Sequence, residues 1–259
     1  MTQADRLAEI LELLQSKGAC GIGELAQRFN VSEETIRRDV RRLEAGGRVY
    51  KVHGGVRLPD NLFEAPYQVR MVENAEAKRR IAAAAVMMVQ DGMTVLMDSG
   101  STTCWTAKAL VRSRDLTIVT NSIEVGREVL GRNNNRLFLA GGEMNVDHRA
   151  AFGAEAVGLA MGFVPDIAFL SIGAIDAQRG FLDFHVDESR FKRALLRGAR
   201  RVVIVADASK FDRAGVLLTA RLEQVHDLVV DRPPPPATGS ALAAAGVRVH
   251  VAGVGAVPD

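Results

Sequence analysis

The 259-residue sequence has little cysteine, few aromatic residues and no long hydrophobic run. Its two cysteines, Cys20 and Cys104, do not suggest a disulfide framework in a chain of this length. No run of about 18 apolar residues could span a bilayer, and the first residues lack the basic and apolar regions of a signal peptide. We therefore expect a cytoplasmic protein without a membrane segment.

Histidine is also scarce, and the five histidines are scattered along the chain. None of them has a metal-binding spacing to a cysteine or to another histidine. We therefore expect neither a metal ion nor a cofactor. The 47% hydrophobic and 25% charged residues are sufficient for a sizeable core, and the length suits two domains.

Net positive charge is small overall but concentrated in one place. Residues 1–58 hold ten basic and eight acidic residues, whereas the remainder holds 23 of each. Within residues 37–57 the count is seven basic against two acidic residues. This segment is where a polyanion would contact the protein.

The basic segment lies in a pattern of three short helices followed by a strand. Apolar spacing predicts helices over 3–16 and 23–29, and a third helix that Ser32 caps and Gly46-Gly47 end. A strand over 49–52 then leads into Gly54-Gly55. The order is typical of a helix-turn-helix with a wing, which makes gene regulation the leading hypothesis.

Helix and strand signals alternate beyond a break near residues 58–68. This alternation predicts an α/β domain with a largely parallel sheet and helices on both faces. We expect a DNA-binding domain over 1–58, a linker over 59–73, and an effector-binding and oligomerisation domain over 74–259. The predicted strands lie at 95–97, 116–119, 136–140, 166–172, 201–206, 227–230 and 247–251.

The strongest ligand signal is the segment 98–103, Asp-Ser-Gly-Ser-Thr-Thr, which follows a buried strand and opens a helix. Its hydroxyls and free backbone N–H groups could cradle an anion at the carboxyl edge of the sheet. The alternative is a simple helix cap. The segment is neither a Walker loop nor a dinucleotide-binding turn.

Other strand ends are polar or glycine-rich in the same way, which favours one rim of the sheet as a ligand pocket. Lys210 would suit a phosphate or a carboxylate. A later helix carries Glu188, Arg190, Lys192 and Arg193, and without further context these charges fit a solvated helix face better than a site.

With these motifs in place, the sequence resembles the DeoR family of bacterial transcriptional regulators over nearly its full length. The N-terminal matches are residues 31–40, 43–44 and 52–56. The sensor-half matches are residues 91–92, 98–103, 120–122, 141–143, 192–194 and 209–211.

The resemblance implies a winged helix-turn-helix joined to a sensor domain similar to ribose-5-phosphate isomerase and CoA-transferase folds. We expect DNA contacts from Ser32, Thr35, Arg37, Arg38, Arg41, Arg48 and Lys51, with His53 either approaching phosphate or capping a turn. The resemblance places the phosphate-binding loop at Ser99, Gly100, Ser101, Thr102 and Thr103, preceded by Asp98. It places the pocket rim at Asn121, Gly142, Asp176, Glu188, Lys192 and Lys210.

The sequence departs from the family where members often read Gly-Leu-Thr-Thr-Pro-Asn. Here residues 180–185 read Gly-Phe-Leu-Asp-Phe-His, so Asp183 and His185 alter the polarity of that pocket wall. Residues 151–153 also depart from the usual Val-Gly-Pro order. Both differences bear on the identity of the effector.

The leading interpretation is a non-enzymatic repressor of carbohydrate or related catabolic genes, released by a phosphorylated sugar or polyol. A single helix-turn-helix domain buries only a small interface on DNA, so we expect a homo-oligomer on operator DNA. The alternative is a sugar-phosphate isomerase using Asp176, Glu188 and Lys210 as acid–base groups. A DNA-compaction protein is disfavoured because the large domain has no basic face.

Overall fold

The computed structural model describes residues 3–17, 19–45, 48–52, 54–57 and 64–253. The chain forms two compact units, Met1–Val69 and Arg70–Asp259, which are called the N-terminal unit and the C-terminal unit. None of the helices within the described ranges has the length and apolar character needed to cross a membrane.

The N-terminal unit contains three helices and a small sheet, and it confirms the three-helix pattern. Strand β1 was not predicted; it pairs with β3, which also pairs with β2, both antiparallel. A Cβ at Gly55 would lie 2.7 Å from the carbonyl oxygen of Cys20, so glycine permits this pairing. The elements are α1 (Gln3–Lys17), β1 (Ala19–Gly21), α2 (Ile22–Phe29), α3 (Glu33–Ala45), β2 (Tyr50–Val52) and β3 (Gly55–Arg57).

The inner face of α3 packs on α1 and α2. Ile36, Val40 and Leu43 are buried, as their spacing predicts. Asp39 is also fully buried, and its carboxylate accepts a hydrogen bond of 2.6 Å from Arg6 Nε. This ion pair fastens α1 to α3, because leaving either charge alone in the core would be costly.

The C-terminal unit is built on a seven-stranded parallel sheet, as predicted, in the order β15-β14-β12-β9-β4-β5-β6. The strands are short apolar runs such as Val202–Val205, whose four residues are all buried, as expected for a sheet covered on both faces. The strands are β4 (Thr94–Met97), β5 (Thr117–Thr120), β6 (Arg136–Leu139), β9 (Ile167–Leu170), β12 (Val202–Val205), β14 (Asp227–Val230) and β15 (Arg248–Val251).

The helices of this region pack in two groups: α5 on α6 and α6 on α7, and separately α8 on α9. The helix predicted over 74–90 ends earlier, at Val86, and the last helix begins earlier than predicted, at Pro236. The helices are α4 (Tyr67–Val72), α5 (Ala75–Val86), α6 (Ser101–Ala109), α7 (Ile123–Val129), α8 (Ala154–Met161), α9 (Val186–Leu195) and α10 (Pro236–Ala244).

Two small antiparallel sheets that were not predicted complete the C-terminal unit. One pairs β7 (Met144–Asn145) with β8 (Ala150–Ala151). The other has the order β10-β11-β13, formed by β10 (Ala174–Asp176), β11 (Gly180–Asp183) and β13 (Leu217–Ala220). The second sheet matters for function because β11 ends in Asp183, which faces the charged cluster described below.

Candidate functional site

Helix α3 begins with a well-formed cap and exposes an arginine-rich face. Ser32 Oγ accepts a hydrogen bond of 3.2 Å from the backbone N–H of Thr35, and the two hydroxyls lie 2.9 Å apart. Neighbouring carboxylates partly neutralise two of the exposed arginines. Arg37 pairs with Glu33 at 2.6 Å, and Arg41 pairs with Glu34 at 3.3 Å. Such exposed pairs are weak and open easily to a competing polyanion.

Two concave surfaces flank this helix in the N-terminal unit. One brings Arg37 and Arg41 together with Lys51 of the wing strand β2. The other is lined by Arg38, Arg41 and Arg42 beside Gln3 and Ala45. Arg48 is exposed as well, and His53 lies outside the described residues. Of the predicted DNA-contacting side chains, Arg37, Arg38, Arg41 and Lys51 therefore line two basic concave surfaces that share Arg41.

The C-terminal unit contains a buried cluster of one lysine and three carboxylates. Lys192 Nζ lies 2.8 Å from Glu188 Oε1, 3.1 Å from Asp183 Oδ2 and 3.4 Å from Asp98 Oδ2. All four side chains are at most 3% exposed. The interpretation of Glu188 and Lys192 as a solvated helix face is wrong, because both point into the core while Arg190 is exposed.

The charge of Lys192 is fixed by these carboxylates. Burial works to lower the pKa of its ammonium, but the nearby charges of Asp183, Glu188 and Asp98 outweigh burial and raise that pKa well above its ordinary value. Lys192 is therefore a permanent internal cation whose hydrogen bonds are directed to carboxylates. Its role in this geometry is to hold three acids together.

Asp98 follows β4 directly and organises the turn that leads to α6. One carboxylate oxygen accepts hydrogen bonds from the backbone N–H of Gly100 and from the hydroxyl of Thr103. The other accepts two from Ser171, each 2.9 Å long. With so many donors Asp98 is a structural anion that positions the turn rather than a group left available to a ligand.

Asp183 was not among the predicted site residues, although the departure of residues 180–185 from the family pattern had singled it out. It accepts hydrogen bonds from the backbone N–H of Gly173 at 2.9 Å and from Thr219 Oγ1 at 2.8 Å, besides Lys192. Asp183 lies on β11 of the small sheet β10-β11-β13. Its position near Lys192 could have been predicted only if that sheet had been predicted.

Glu188 is the member of the cluster that faces aromatic side chains. Its second oxygen lies 3.4 Å from Nδ1 of His148. The His148 ring is 4.6 Å from that of His185, and Phe152 lies 5.7 Å from both. His185 also caps α9, since its Nδ1 accepts the backbone N–H of Glu188. Two imidazoles and a phenyl ring thus form one wall beside this carboxylate.

The turn at 98–103 has the geometry of an anion cradle. A Cβ on Gly100 would lie 1.6 Å from Ser171 Oγ, so only glycine allows β4 and β9 to approach here. Helix α6 starts at Ser101, and the N–H groups of its first turn have no partner within the helix. These N–H groups and the positive end of the helix dipole favour an oxyanion.

Asn121 directly follows the neighbouring strand β5 and is completely buried. Its Nδ2 donates to the carbonyl of Ala151 at 2.8 Å. Its Oδ1 has no hydrogen-bond partner among the described residues. An orphaned buried acceptor is costly, so this oxygen is suited to receive a hydroxyl of a bound molecule.

Other predicted rim residues have different surroundings. Asp176 accepts the backbone N–H groups of Gln178 and Arg179, so it closes the turn between β10 and β11. Gly142 is exposed with φ of +128°, next to the backbone of Phe152. Lys210 lies in the turn that follows β12, near enough to Lys78 for the two charges to interact. Within the described ranges, no three His, Cys, Asp or Glu side chains are arranged so that they could hold a metal ion.

Comparison with known families assigns both halves of the chain. A model of the DeoR-like helix-turn-helix domain matches residues 6–61, and a model of the DeoR C-terminal sensor domain matches residues 73–232.

Named relatives align over almost the whole chain. The glycerol-3-phosphate regulon repressor of Escherichia coli (strain K12) is 33% identical over 235 residues, which cover 91% of this chain and 93% of that protein. The transcriptional repressor AccR of Agrobacterium fabrum (strain C58) is 34% identical over 230 residues, covering 88% and 89%.

Solved structures align at lower identity. The sorbitol operon regulator SorC from Klebsiella pneumoniae has a TM-score of 0.44 and 13% identity, over 90% of this chain and 97% of its own. A ribose 5-phosphate isomerase from Methanocaldococcus jannaschii has a TM-score of 0.40 and 18% identity, over 54% and 56%. On the two family models and the named relatives, this chain belongs to the DeoR family of transcriptional regulators.

Proposed function

We propose that this protein is a DNA-binding repressor of carbohydrate or related catabolic genes, released when a phosphorylated sugar or polyol binds the C-terminal unit. The observation that carries the proposal is that donors for a phosphate and acceptors for hydroxyls occur at one edge of the sheet. The start of α6 offers N–H groups to a phosphate, while Glu188 and the orphaned Oδ1 of Asn121 offer acceptors to hydroxyls.

The relatives support the same class of ligand. The Escherichia coli relative is named for glycerol 3-phosphate, a phosphorylated polyol. For this chain the corresponding ligand would place its phosphate at residues 99–103 and its hydroxyls towards Asn121 and Glu188. His148 and Phe152 would contact the carbon chain, because their rings form an adjacent wall.

On the DNA side, Arg38 and Arg41 would contact phosphates or guanine edges from the major groove, and Lys51 and Arg48 would hold the backbone from the wing. One such unit buries little surface, so we propose that at least two chains bind together on repeated or inverted half-sites. Sedimentation equilibrium of the free protein and of its DNA complex would measure that number.

The proposal is tested in two linked steps. Thermal-shift screening of phosphorylated sugars and polyols should find a ligand that raises the melting temperature, since binding to the folded state alone stabilises it. The same ligand should weaken binding to a duplex selected from random sequences by this protein. If no phosphorylated compound stabilises the protein, or if the stabilising compound leaves DNA affinity unchanged, the proposal is wrong.

The matched variants for that screen are Ser101→Pro and Ser101→Ala. Ser101 is the first residue of α6, where proline fits a helix, and Gly100 before it is extended (φ −75°, ψ 156°). Proline removes one backbone N–H that alanine keeps. We expect Ser101→Pro to weaken ligand binding more than Ser101→Ala does, while both variants melt close to the wild type without ligand.

A sugar-phosphate isomerase is the second candidate, because acidic groups and a lysine meet at the same sheet edge. A direct assay of ribose 5-phosphate turnover by the pure protein separates the two functions. Sustained turnover that Glu188→Gln abolishes would overturn the purely regulatory interpretation.

A further inference from the structure

A second buried lysine, Lys78, lies outside the predicted site. It is on α5, it is 3% exposed, and its ammonium donates a hydrogen bond to the carbonyl of Arg70 near the end of α4. The charged groups near it are Asp207 and Lys210 after β12, Arg70 on α4, and Glu73 in the turn before α5. Two anions and two cations therefore surround this buried ammonium, so the group with Lys78 included carries one net positive charge.

Lys78 lies in the first turn of α5, and α5 packs along α6. Both helices begin at the carboxyl edge of the sheet, because Asn74 before α5 bonds Asp207 after β12 and α6 follows β4. Trp105 Nε1 of α6 donates to the carbonyl of Met71 at 3.2 Å, and Lys78 binds the carbonyl of the preceding residue. Lys78 and the N–H groups at residues 101–103 therefore lie at the same edge of the sheet.

The turn after β12 contributes the remaining charged groups near Lys78. Asp207 follows β12 as Asp98 follows β4, so both lie at the carboxyl edge of the same parallel sheet. Asp207 is held by Asn74 Nδ2 at 3.0 Å and by Ser209, and it is 2% exposed. Lys210 is half-buried in the turn that follows. Lys78 on α5, Lys210 after β12 and the N–H groups that open α6 therefore all lie at this edge of the sheet.

Near pH 8, Lys78 exists as a mixture of its charged and neutral forms. Burial lowers the pKa of its ammonium to about 8, although Asp207 acts in the opposite direction. An oxyanion beside it would stabilise the charged form and raise that pKa. Binding would then draw a proton from solvent onto the fraction of Lys78 that is neutral.

We propose that Lys78 and Lys210 are the cationic ligands of the oxyanion bound at the start of α6, and that Lys78 gives up the Arg70 carbonyl to reach it. The inference rests on the proposed function, and it adds both a binding residue and a route of regulation. Helix α4 would lose the hydrogen bond to its Arg70 carbonyl and keep the one from Trp105 to its Met71 carbonyl.

Calorimetric titration of the full-length protein with sulfate tests the binding role. Sulfate mimics a phosphate monoester but does not itself titrate near pH 8. In two pH 8 buffers with different ionisation enthalpies, the wild type should take up as much as about half a proton per sulfate, because the pKa is about 8. Lys78→Arg should bind sulfate without that uptake, since arginine is always charged.

Lys78→Met should weaken sulfate binding at least tenfold, and Arg79→Met is its matched control. Arg79 is the exposed neighbour of Lys78 on α5 and pairs with Glu76 instead, so its removal should leave affinity and proton uptake at wild-type values. Amide exchange in α4 should rise when sulfate binds the wild type and should already be raised in Lys78→Met. Unchanged proton uptake in Lys78→Arg, or unchanged α4 exchange, would overturn the inference.

The Ser101 variants separate this inference from the proposed function. Weaker sulfate binding in Ser101→Pro together with unchanged binding in Lys78→Met means that the α6 turn binds the anion alone, which overturns the role of Lys78 only. Unchanged binding in both variants would remove the anion site itself, and the proposed function with it.

Discussion

Lys192 Nζ and Glu188 Oε1 are 2.8 Å apart across one turn of α9, and both side chains are almost completely buried. The same spacing on a helix surface gives a weak, solvent-screened ion pair. Here it is the shortest of the three ion pairs of Lys192, which join α9 to β11 and to the turn after β4. Lys192 is therefore a fastening point for the C-terminal unit as well as a neighbour of the proposed ligand.

Removing this cation should destabilise the protein strongly. Lys192→Met leaves Asp98, Asp183 and Glu188 buried without a counter-charge, and breaking a buried pair in this way costs about 3–5 kcal/mol. Urea denaturation should show that loss. Arg190→Met is the control, because Arg190 is exposed and its ion pair with Asp187 lies on the surface. A comparable loss of stability in both variants would contradict the assigned role of Lys192.

Gly100→Ala should disturb the turn that precedes α6. The new Cβ would lie 2.2 Å from Cβ of Ser171, and such overpacking typically costs about 1–3 kcal/mol. We expect a lower melting temperature and weaker binding of the effector. Gly141→Ala, with no atom within 4 Å of the added Cβ, should be almost silent.

A second substitution at Ser171 tests the cause of that disturbance. Ser171→Gly should recover part of the lost stability when it is combined with Gly100→Ala, because it removes the clashing atoms. If the two effects simply add, the close approach of these two residues is not the reason for the glycine.

Arg38→Ala should weaken operator binding. If Arg38 contacts a backbone phosphate, the slope of log affinity against log salt should fall by about 0.9; if it reads a base, the preference at one position should relax. Fluorescence anisotropy over a range of salt concentrations measures both. Arg79→Ala, in the C-terminal unit, should behave as the wild type, and an Arg38→Ala protein with unchanged affinity and slope would refute the assignment of α3 as the recognition helix.

Acid should weaken the opposite, amino-terminal edge of the sheet. Burial alone would raise the pKa of Asp227, but hydrogen bonds from Arg201, His250 and Arg248 together lower it well below the ordinary aspartate value. A lowered folded-state pKa contributes stability that is complete above about pH 4 and is lost as pH falls further.

Denaturation of the wild type and of Asp227→Asn between pH 3 and 7 checks this contribution. The wild type should lose stability towards pH 3 more steeply than the variant, and it should be the more stable protein at pH 7. Parallel curves would show that Asp227 does not carry this part of the acid sensitivity.

The sequence was sufficient for the large elements. Apolar spacing located α3 and its inner face, and apolar runs located all seven strands of the parallel sheet, because burial on both sides demands continuous hydrophobic residues. It missed β1, β3, β7–β8 and β10-β11-β13. Glycine or polar residues interrupt the apolar run in most of these strands, so they lack the continuous hydrophobic signal of the parallel strands.

The charged residues of the candidate site were only partly predictable. Glu188 and Lys192 have the spacing of a solvated pair, and only the packing of α9 against β13 and α8 turns them inward. Asp183 depends on a sheet that was not foreseen. Lys78 lies in an alanine-rich helix beside exposed Arg79 and half-buried Arg80, and nothing in the local sequence distinguishes it. Its environment is made by α4, α5 and the turn after β12.

Trp105 is the only tryptophan in the chain, and its indole N–H is bonded to the carbonyl of Met71 at the end of α4, with Lys108 lying 4.8 Å over the ring. Indole emission responds to the loss of such a bond and to a nearby ammonium. The protein therefore carries its own optical probe one turn from the proposed phosphate cradle. A change in emission wavelength on ligand addition would report the state of α4 without any label.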